Sequence, residues 1–171
     1  LDSNDRIEMS DGPLPTFTYG GNIGLSWKNF DFSMLFQGVG DYKVYYNNQA
    51  FRFVTVMGQS LNKDITDNAW TPENPYNSIY PILRNNSNGK NNIASNAFVH
   101  NAAYFRCKNI QLGYTIPSEI TKKFSVQNLK VYTSIDNLFT ITNFPGLDPE
   151  VGATVGYPTV RQYSVGLNVT F

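Results

Sequence analysis

The residue types that usually perform catalysis or bind metals are scarce in this chain of 171 residues. It has one cysteine, Cys107, and one histidine, His100, which lies in an asparagine-rich stretch. A single cysteine cannot form a disulfide within the chain, and a zinc site built from cysteines or histidines needs several such ligands. We therefore predict no metal, no cofactor and no Ser-His or Cys-His catalytic centre.

Carboxylate pairs are the remaining candidates for acid–base catalysis or calcium binding. Asp148 and Glu150 flank Pro149, with Asp136 before them on a predicted strand, and a further acidic group lies earlier in the chain. The members of that earlier group are Asp64, Asp67 and Glu73. Glycosidases need two carboxylates placed across a sugar bond, and no further catalytic element accompanies either group. We interpret both as parts of solvated loops and predict that the chain is not an enzyme.

Three aromatic residues in a long polar stretch, Trp70, Tyr76 and Tyr80, are the candidate substrate-binding residues. Aromatic rings have apolar faces that can stack on sugar rings, and neighbouring asparagines both donate and accept hydrogen bonds. The alternative is that these rings only pack the loop against its neighbours.

The composition excludes two broad classes of protein. Thirteen Lys and Arg balance thirteen Asp and Glu, whereas a protein that binds nucleic acid through phosphates needs a basic excess. Aromatic residues make up 15% of the chain, which is far above what disordered chains contain. No apolar run is long enough for a transmembrane helix.

Apolar and polar residues alternate over long segments, which is the pattern of β-strands with one apolar face. The alternation predicts five strands, at residues 16–28, 30–37, 102–116, 128–140 and 159–171. Unbroken alternation in the third strand would place Arg106 and Lys108 on the apolar face and Cys107 on the polar face or packed. There the two cations would reach the outer rim of the sheet. Between the third and fourth strands, Ser118 is expected to cap a short helical turn.

Two environments produce such strands. In a soluble sandwich the apolar face packs inward, and in an outer-membrane barrel it faces lipid. About 9–11 tilted residues cross a bilayer, and the predicted strands are long enough. Short links alternate with long ones, at residues 40–101 and 143–158, as in barrels with short periplasmic turns and long external loops. Five strands cannot close a barrel, so the barrel interpretation makes this chain a fragment.

Several sequence motifs, in order along the chain, resemble the C-terminal end of SusC/RagA-family TonB-linked outer-membrane transporters, and the resemblance covers essentially all of the chain. The motifs are Phe17-Thr18-Tyr19-Gly20, Phe30-Asp31-Phe32-Ser33, Phe36-Gln37-Gly38, Trp70-Thr71-Pro72-Glu73-Asn74-Pro75, the segment Tyr104 to Tyr114, Asn137-Leu138-Phe139-Thr140, Gly146-Leu147-Asp148-Pro149-Glu150, Tyr157-Pro158 and Tyr163 to Phe171.

The resemblance implies an all-β fold in which residues 1–171 form about the last five strands of a 22-stranded antiparallel transmembrane barrel. It implies an outer-membrane importer of oligosaccharides or peptides. The implied partners are the rest of the barrel and its plug, a SusD-like surface lipoprotein that acts as a lid, outer-membrane lipid, and the TonB complex, which would contact a part of the protein outside this chain. A soluble carbohydrate-binding β-sandwich and a passive porin-like channel remain the alternatives.

The last strand resembles the C-terminal signal that the barrel-assembly machinery reads. Its alternating residues are Tyr163, Val165, Leu167, Val169 and Phe171. Pairing at an exposed strand edge, together with a terminal aromatic residue, would provide the recognition. The alternative is a lipid-facing strand without a signalling role.

Overall fold

A computed structural model describes residues 8, 12, 14–47, 54–55, 61–85, 91, 94–154 and 156–171. The chain divides into two compact units. The sheet unit comprises Pro15–Tyr42, Ala103–Asn143 and Tyr157–Phe171, and the loop unit comprises Leu1–Leu14, Lys43–Ala102 and Phe144–Gly156.

The secondary-structure elements follow one another in chain order as β1 (Phe17–Trp27), β2 (Phe30–Gly40), β3 (Lys43–Tyr45), β4 (Val54–Thr55), α1 (Lys63–Asn68), β5 (Arg84–Asn85), β6 (Val99–Asn101), β7 (Tyr104–Thr115), α2 (Ser118–Thr121), β8 (Asn128–Thr142) and β9 (Gln162–Thr170). Short 3₁₀ turns lie at Asn96–Phe98 and Lys122–Phe124. No helix in the described part of the chain is long and apolar enough to cross a membrane.

The sheet unit is a single five-stranded sheet with the order β1-β2-β7-β8-β9, and all neighbouring strands are antiparallel. The all-β antiparallel fold is confirmed, and the five strands correspond to the five that the alternation predicts. Their ends differ from the predicted ones by up to three residues, mainly because β2 continues to Gly40 and β9 begins only at Gln162. Strands of 9 to 15 residues are long for a globular protein.

One face of this sheet is apolar and exposed. Large side chains along it remain 36% to 81% exposed, although a β-sandwich would cover such a face with a second sheet. Aromatic rings lie over glycines on the neighbouring strand, with Tyr19 against Gly38 and Phe17 against Gly40. The large members of this face are Phe17, Tyr19, Ile23, Leu25, Trp27, Phe30, Leu112, Tyr114, Phe139, Ile141, Tyr163, Val165, Leu167 and Val169, and Phe171 follows directly after β9.

A β-bulge in β7 corrects the predicted faces of this strand. Lys108 is skipped in the pairing with both β2 and β8, and one inserted residue reverses the alternation beyond it. Arg106 therefore lies on the polar face and is 2% exposed, so the prediction that it reaches the rim from the apolar face was wrong. Cys107 is packed, as expected, but on the apolar face between Phe36 and Phe139.

Short and long connections leave the sheet at opposite ends. The tight turn at Lys28 and Asn29 and the turn that contains α2 lie at one end, where the Thr115 amide donates to the Asn29 carbonyl oxygen at 2.8 Å. The chain leaves β2 and β8 for the two long segments at the other end. Ser118 does not cap α2, because it is the first residue of the helix and follows Pro117.

The loop unit has its own small strands and an aromatic cluster. β3 pairs antiparallel with β6, and β4 pairs parallel with β5. Tyr46 packs edge-on to Phe144, with ring centroids 5.1 Å apart, and Tyr45 packs against Phe98 at 5.8 Å. Phe98 is fully buried. The segment predicted as a long loop thus contains several short regular elements.

Candidate functional site

The polar face of the sheet carries a row of mutually bonded side chains. At the short-turn end, Lys130 Nζ lies 2.7 Å from Asp31 Oδ2, and both side chains are about one-third exposed. Gly113 lies between the two side chains. A Cβ at this position would be only 2.5–2.6 Å from the lysine Cε and the Asp31 carboxylate oxygens. A strand residue without a side chain therefore allows an ion pair to cross β7.

The row continues towards the end with the long connections. Asn109 Nδ2 donates to Asp136 Oδ1 at 2.7 Å. Beyond the bulge, Arg106 Nε donates to Thr140 Oγ1 at 2.8 Å and Gln37 Nε2 donates to the Tyr104 hydroxyl oxygen at 3.1 Å. The Arg106 guanidinium also lies 5.5 Å from the centre of the Tyr104 ring.

This row can offer hydrogen-bond donors and acceptors to a polar solute, as the interior of a large barrel does. The sequence analysis missed the row because the bulge at Lys108 is invisible to a strict period of two. One sequence feature could have indicated the bulge. On the face predicted to be apolar, Arg106 and Lys108 are charged, whereas Ile110 and the residues after it on that face are apolar.

The three candidate substrate-binding residues lie in one hydrogen-bonded segment of the loop unit. Helix α1 is capped by Asn62, whose side-chain oxygen accepts from the Asp64 amide at 2.9 Å. The returning chain bonds to the end of this helix, since the Tyr80 amide donates to the Asn68 carbonyl oxygen at 3.1 Å. Just beyond the helix, the Trp70 amide donates to the Tyr80 carbonyl oxygen at 2.9 Å. Trp70 and Tyr80 are thus neighbours through the backbone.

These aromatic side chains differ in how available they are to a ligand. Tyr76 is 94% exposed and Trp70 is 36% exposed. The Tyr80 hydroxyl donates to Asp64 Oδ2 at 2.8 Å, and burial, followed by the hydrogen bond to Asp64, raises the pKa of Tyr80 to about 12. Tyr80 therefore holds the segment together, while Tyr76 and Trp70 present ring surface. Substrate binding by all three stays a prediction.

Three of the acidic candidates, Asp64, Asp67 and Asp148, are engaged in local structure, whereas Glu73 is exposed. Asp64 accepts hydrogen bonds from Tyr80 and from Asn68, and Asp67 pairs with Lys63 one helical turn away. Asp148 is buried, which corrects the expectation of a solvated loop. Its side chain accepts from the Glu150 amide at 2.9 Å and thereby closes a turn.

Histidine and cysteine belong to no cluster of metal-ligating side chains in the described residues. Within those residues, no three His, Cys, Asp or Glu side chains lie close enough together to hold a metal ion. His100 lies on β6, edge-on to Tyr46 with ring centroids 6.2 Å apart, and burial lowers its pKa. Cys107 lies in the sheet unit and His100 in the loop unit.

The residues of the candidate assembly signal lie along the edge strand of the sheet. β9 pairs only with β8 among the described strands. The side chains are exposed on the apolar face, in the register that the sequence predicts. They are Tyr163, Val165, Leu167 and Val169 within β9, with Phe171 just beyond its end. Recognition by an assembly machinery stays a prediction.

Comparison with known proteins finds similarity along the whole chain. It is 31% identical over 195 residues to TonB-dependent receptor P3 of Formosa agariphila and spans 18% of that protein. It is 28% identical over 178 residues to TonB-dependent receptor SusC of Bacteroides thetaiotaomicron and spans 16% of it. Each alignment covers 100% of this chain. No family model matches the sequence.

Solved structures of one complex have the same fold. The RagAB peptide importer in its closed-closed state matches with a TM-score of 0.82 and 26% identity, over 100% of this chain and 19% of the importer chain. A second structure, of the RagAB peptide transporter, matches with a TM-score of 0.81, 25% identity and the same coverage. This chain thus spans less than a fifth of the proteins that it resembles.

Proposed function

We propose that this chain, which belongs to the SusC/RagA family of TonB-dependent outer-membrane transporters, forms a section of the barrel wall of an active importer. Its location is the outer membrane of Gram-negative bacteria, where proteins of this family reside. The observation that carries the proposal is the exposed apolar face of a sheet of long strands. In lipid, the apolar side chains of such a face are not exposed to water, so the face carries no hydration penalty.

The section needs further strands to complete it. β1 and β9 are edges among the described strands, and lipid cannot satisfy the free backbone groups of an edge. We therefore infer that these edges pair with other parts of a 22-stranded barrel, of which residues 1–171 are the C-terminal part. Residues 40–101 and 143–158 would be external loops, since they connect strands at the end opposite the short turns.

The cargo would be an oligosaccharide or a peptide. One related complex is described as a peptide importer, and the polar row at Asp31, Lys130, Asn109 and Asp136 would line the interior. Tyr76 and Trp70 would contact the cargo at the external loop, through ring stacking. Catalysis has no part in this proposal, because import moves the cargo without breaking its covalent bonds.

Three partners follow from this role. A SusD-like surface lipoprotein would cover the external loops, and the TonB complex would supply energy through a part of the protein outside this chain. The barrel-assembly machinery would recognise the edge formed by β9, with its exposed alternating side chains. Each of these assignments rests on family similarity together with the strand order.

Uptake by bacteria that make the full-length receptor tests the proposal. Cells would receive fluorescent oligosaccharides and oligopeptides, with matched strains that lack the receptor or TonB. We expect uptake of one of the two classes of compound, and its loss in both deletion strains. Uptake that persists without TonB would support the passive channel instead, and a receptor found in the soluble fraction would support the sandwich. Affinity purification of the receptor should also recover a lipoprotein.

A further inference from the structure

We propose that the turn between β7 and β8, together with Lys28, binds the headgroups of anionic phospholipids at the short-turn end of the sheet. The surface consists of Lys28, Ile120, Lys122, Lys123 and Phe124, and we name it the turn surface. The proposal rests on the proposed function, because it requires the apolar face to lie in a membrane. It adds a specific lipid partner and the residues that would recognise it.

The turn has a defined conformation. The Ile120 amide donates to the Pro117 carbonyl oxygen at 3.0 Å, and the Val126 amide donates to the Thr121 carbonyl oxygen at 3.2 Å. Thr121 is buried, and Ser125 closes the turn with a φ of 57°. The part of the turn surface between β7 and β8 is therefore held in place by backbone hydrogen bonds and by one buried residue.

Two large apolar side chains of this turn point outward. Ile120 is 52% exposed and Phe124 is 74% exposed, and they lie four residues apart, about one helical turn. At the same end of the sheet, the Phe30 and Tyr114 rings of the apolar face pack with centroids 4.7 Å apart. A girdle of aromatic residues near the strand ends of a barrel is typical of the boundary between lipid tails and headgroups.

The charge on the turn surface suits an anionic partner. Lys28, Lys122 and Lys123 have no ion-pair partner among the described residues, and the Lys28 ammonium lies 4.8 Å from the centre of the Trp27 ring. Glu119 is the one acidic residue between Pro117 and Gln127. The nearest acid on a strand at this end, Asp31, is already bonded to Lys130.

Exposed lysines next to exposed apolar side chains fit a membrane boundary better than a protein partner or water. The lysine stems can lie along the lipid tails while the ammonium groups reach the phosphates. Each lysine near an anionic membrane surface strengthens binding by about fivefold. Three lysines opposed by one glutamate should therefore enrich anionic lipid around this turn, relative to zwitterionic lipid.

Fluorescence quenching in vesicles that contain the full-length receptor tests this inference. A bimane label at Ser118→Cys would report on lipids next to the turn, and a label at Tyr76→Cys in the loop unit is the control site. Brominated phosphatidylglycerol and brominated phosphatidylcholine are the two quenchers. We expect quenching at Ser118→Cys only, with phosphatidylglycerol preferred, and we expect Lys122→Gln with Lys123→Gln to lower this preference about 5- to 30-fold.

Matched variants separate charge from folding. Lys122→Arg with Lys123→Arg should keep the preference, as should Lys43→Gln with Lys63→Gln in the loop unit. Heat-modifiable migration on gels verifies that each barrel is folded. If the glutamine variant does not fold, the measurement is repeated on the protein with the native lysines in 1 M salt. Salt at that concentration screens charges beyond about 3 Å and should remove the preference for phosphatidylglycerol.

The possible outcomes distinguish the inference from the proposed function. Equal quenching by both lipids at Ser118→Cys would overturn the lipid site but keep the membrane location. Quenching by neither lipid would overturn both. Suppression of the preference by millimolar inorganic phosphate would indicate a small-anion site and would also overturn the phospholipid assignment.

Discussion

Replacing Leu167 by arginine provides the sharpest test of the environment around the apolar face. Leu167 lies near the middle of β9, opposite Val131, and is 66% exposed. If that exposed fraction is covered by lipid, its burial contributes about 1–2 kcal/mol. Arginine at the middle of a bilayer costs about 2–4 kcal/mol in a membrane barrel.

In water the same substitution should have little effect. Exposed surface substitutions usually change the free energy of unfolding by less than about 0.5 kcal/mol. The membrane account therefore predicts that Leu167→Arg lowers the folded-to-unfolded ratio by about 30- to 900-fold. The control is Asn168→Arg, one residue further on the polar face, where a small loss from repulsion by Lys130 is expected.

Equilibrium unfolding in urea, with the full-length receptor in lipid vesicles, measures both variants. The apparent free energy of unfolding should fall by about 2–4 kcal/mol for Leu167→Arg and by less than about 1 kcal/mol for Asn168→Arg. Equal stability of the two variants would refute the assignment of lipid to this face. A larger loss for Asn168→Arg would show that the two faces had been assigned the wrong way round.

Three further predictions concern other parts of the chain. Gly113→Ala should lower the free energy of unfolding by up to about 1 kcal/mol, because its Cβ would push aside the Lys130 Cε and the Asp31 carboxylate and so separate this ion pair; an equal loss in an Asp31→Asn background, measured in urea, would contradict this cause. The difference absorbance at 295 nm between wild type and Tyr80→Phe should show phenolate with a midpoint near pH 12. Because this pKa is raised from 10.0, the stabilising contribution of Tyr80 is complete below pH 10 and is lost as the pH rises towards 12. Tyr76→Ala and Trp70→Ala should each weaken cargo binding about 2- to 12-fold in titration calorimetry, and Tyr76→Ala, at a ring that is 94% exposed, should leave receptor stability unchanged.

Periodicity predicted the sheet well because the two faces of each long strand meet different environments. Every apolar residue on β9 lies in the register that alternation predicts. The five strands also pair in chain order, across the two short links and the two long segments alike. The physical cause is that successive side chains of a strand point to opposite faces of the sheet along its whole length.

The bulge and the buried acid could not be predicted in this way. One extra residue, Lys108, reverses the faces of β7 without any special residue type at that place. Asn137 in β8 adopts a φ of 53° near the same level, and its side chain donates to the Val160 carbonyl oxygen at 3.1 Å. The burial of Asp148 depends on tertiary packing, whereas its sequence context, next to Pro149, is that of an exposed loop.

The mass and location of the natural polypeptide that carries this chain test the central claim most directly. Outer membranes would be separated from soluble protein, dissolved in detergent, run denatured and probed with an antibody against Val165–Phe171. Because the chain spans 18% of a related receptor, the account predicts a band about five times its mass of 19.3 kDa, in the outer-membrane fraction. A 19.3 kDa band in the soluble fraction would contradict it.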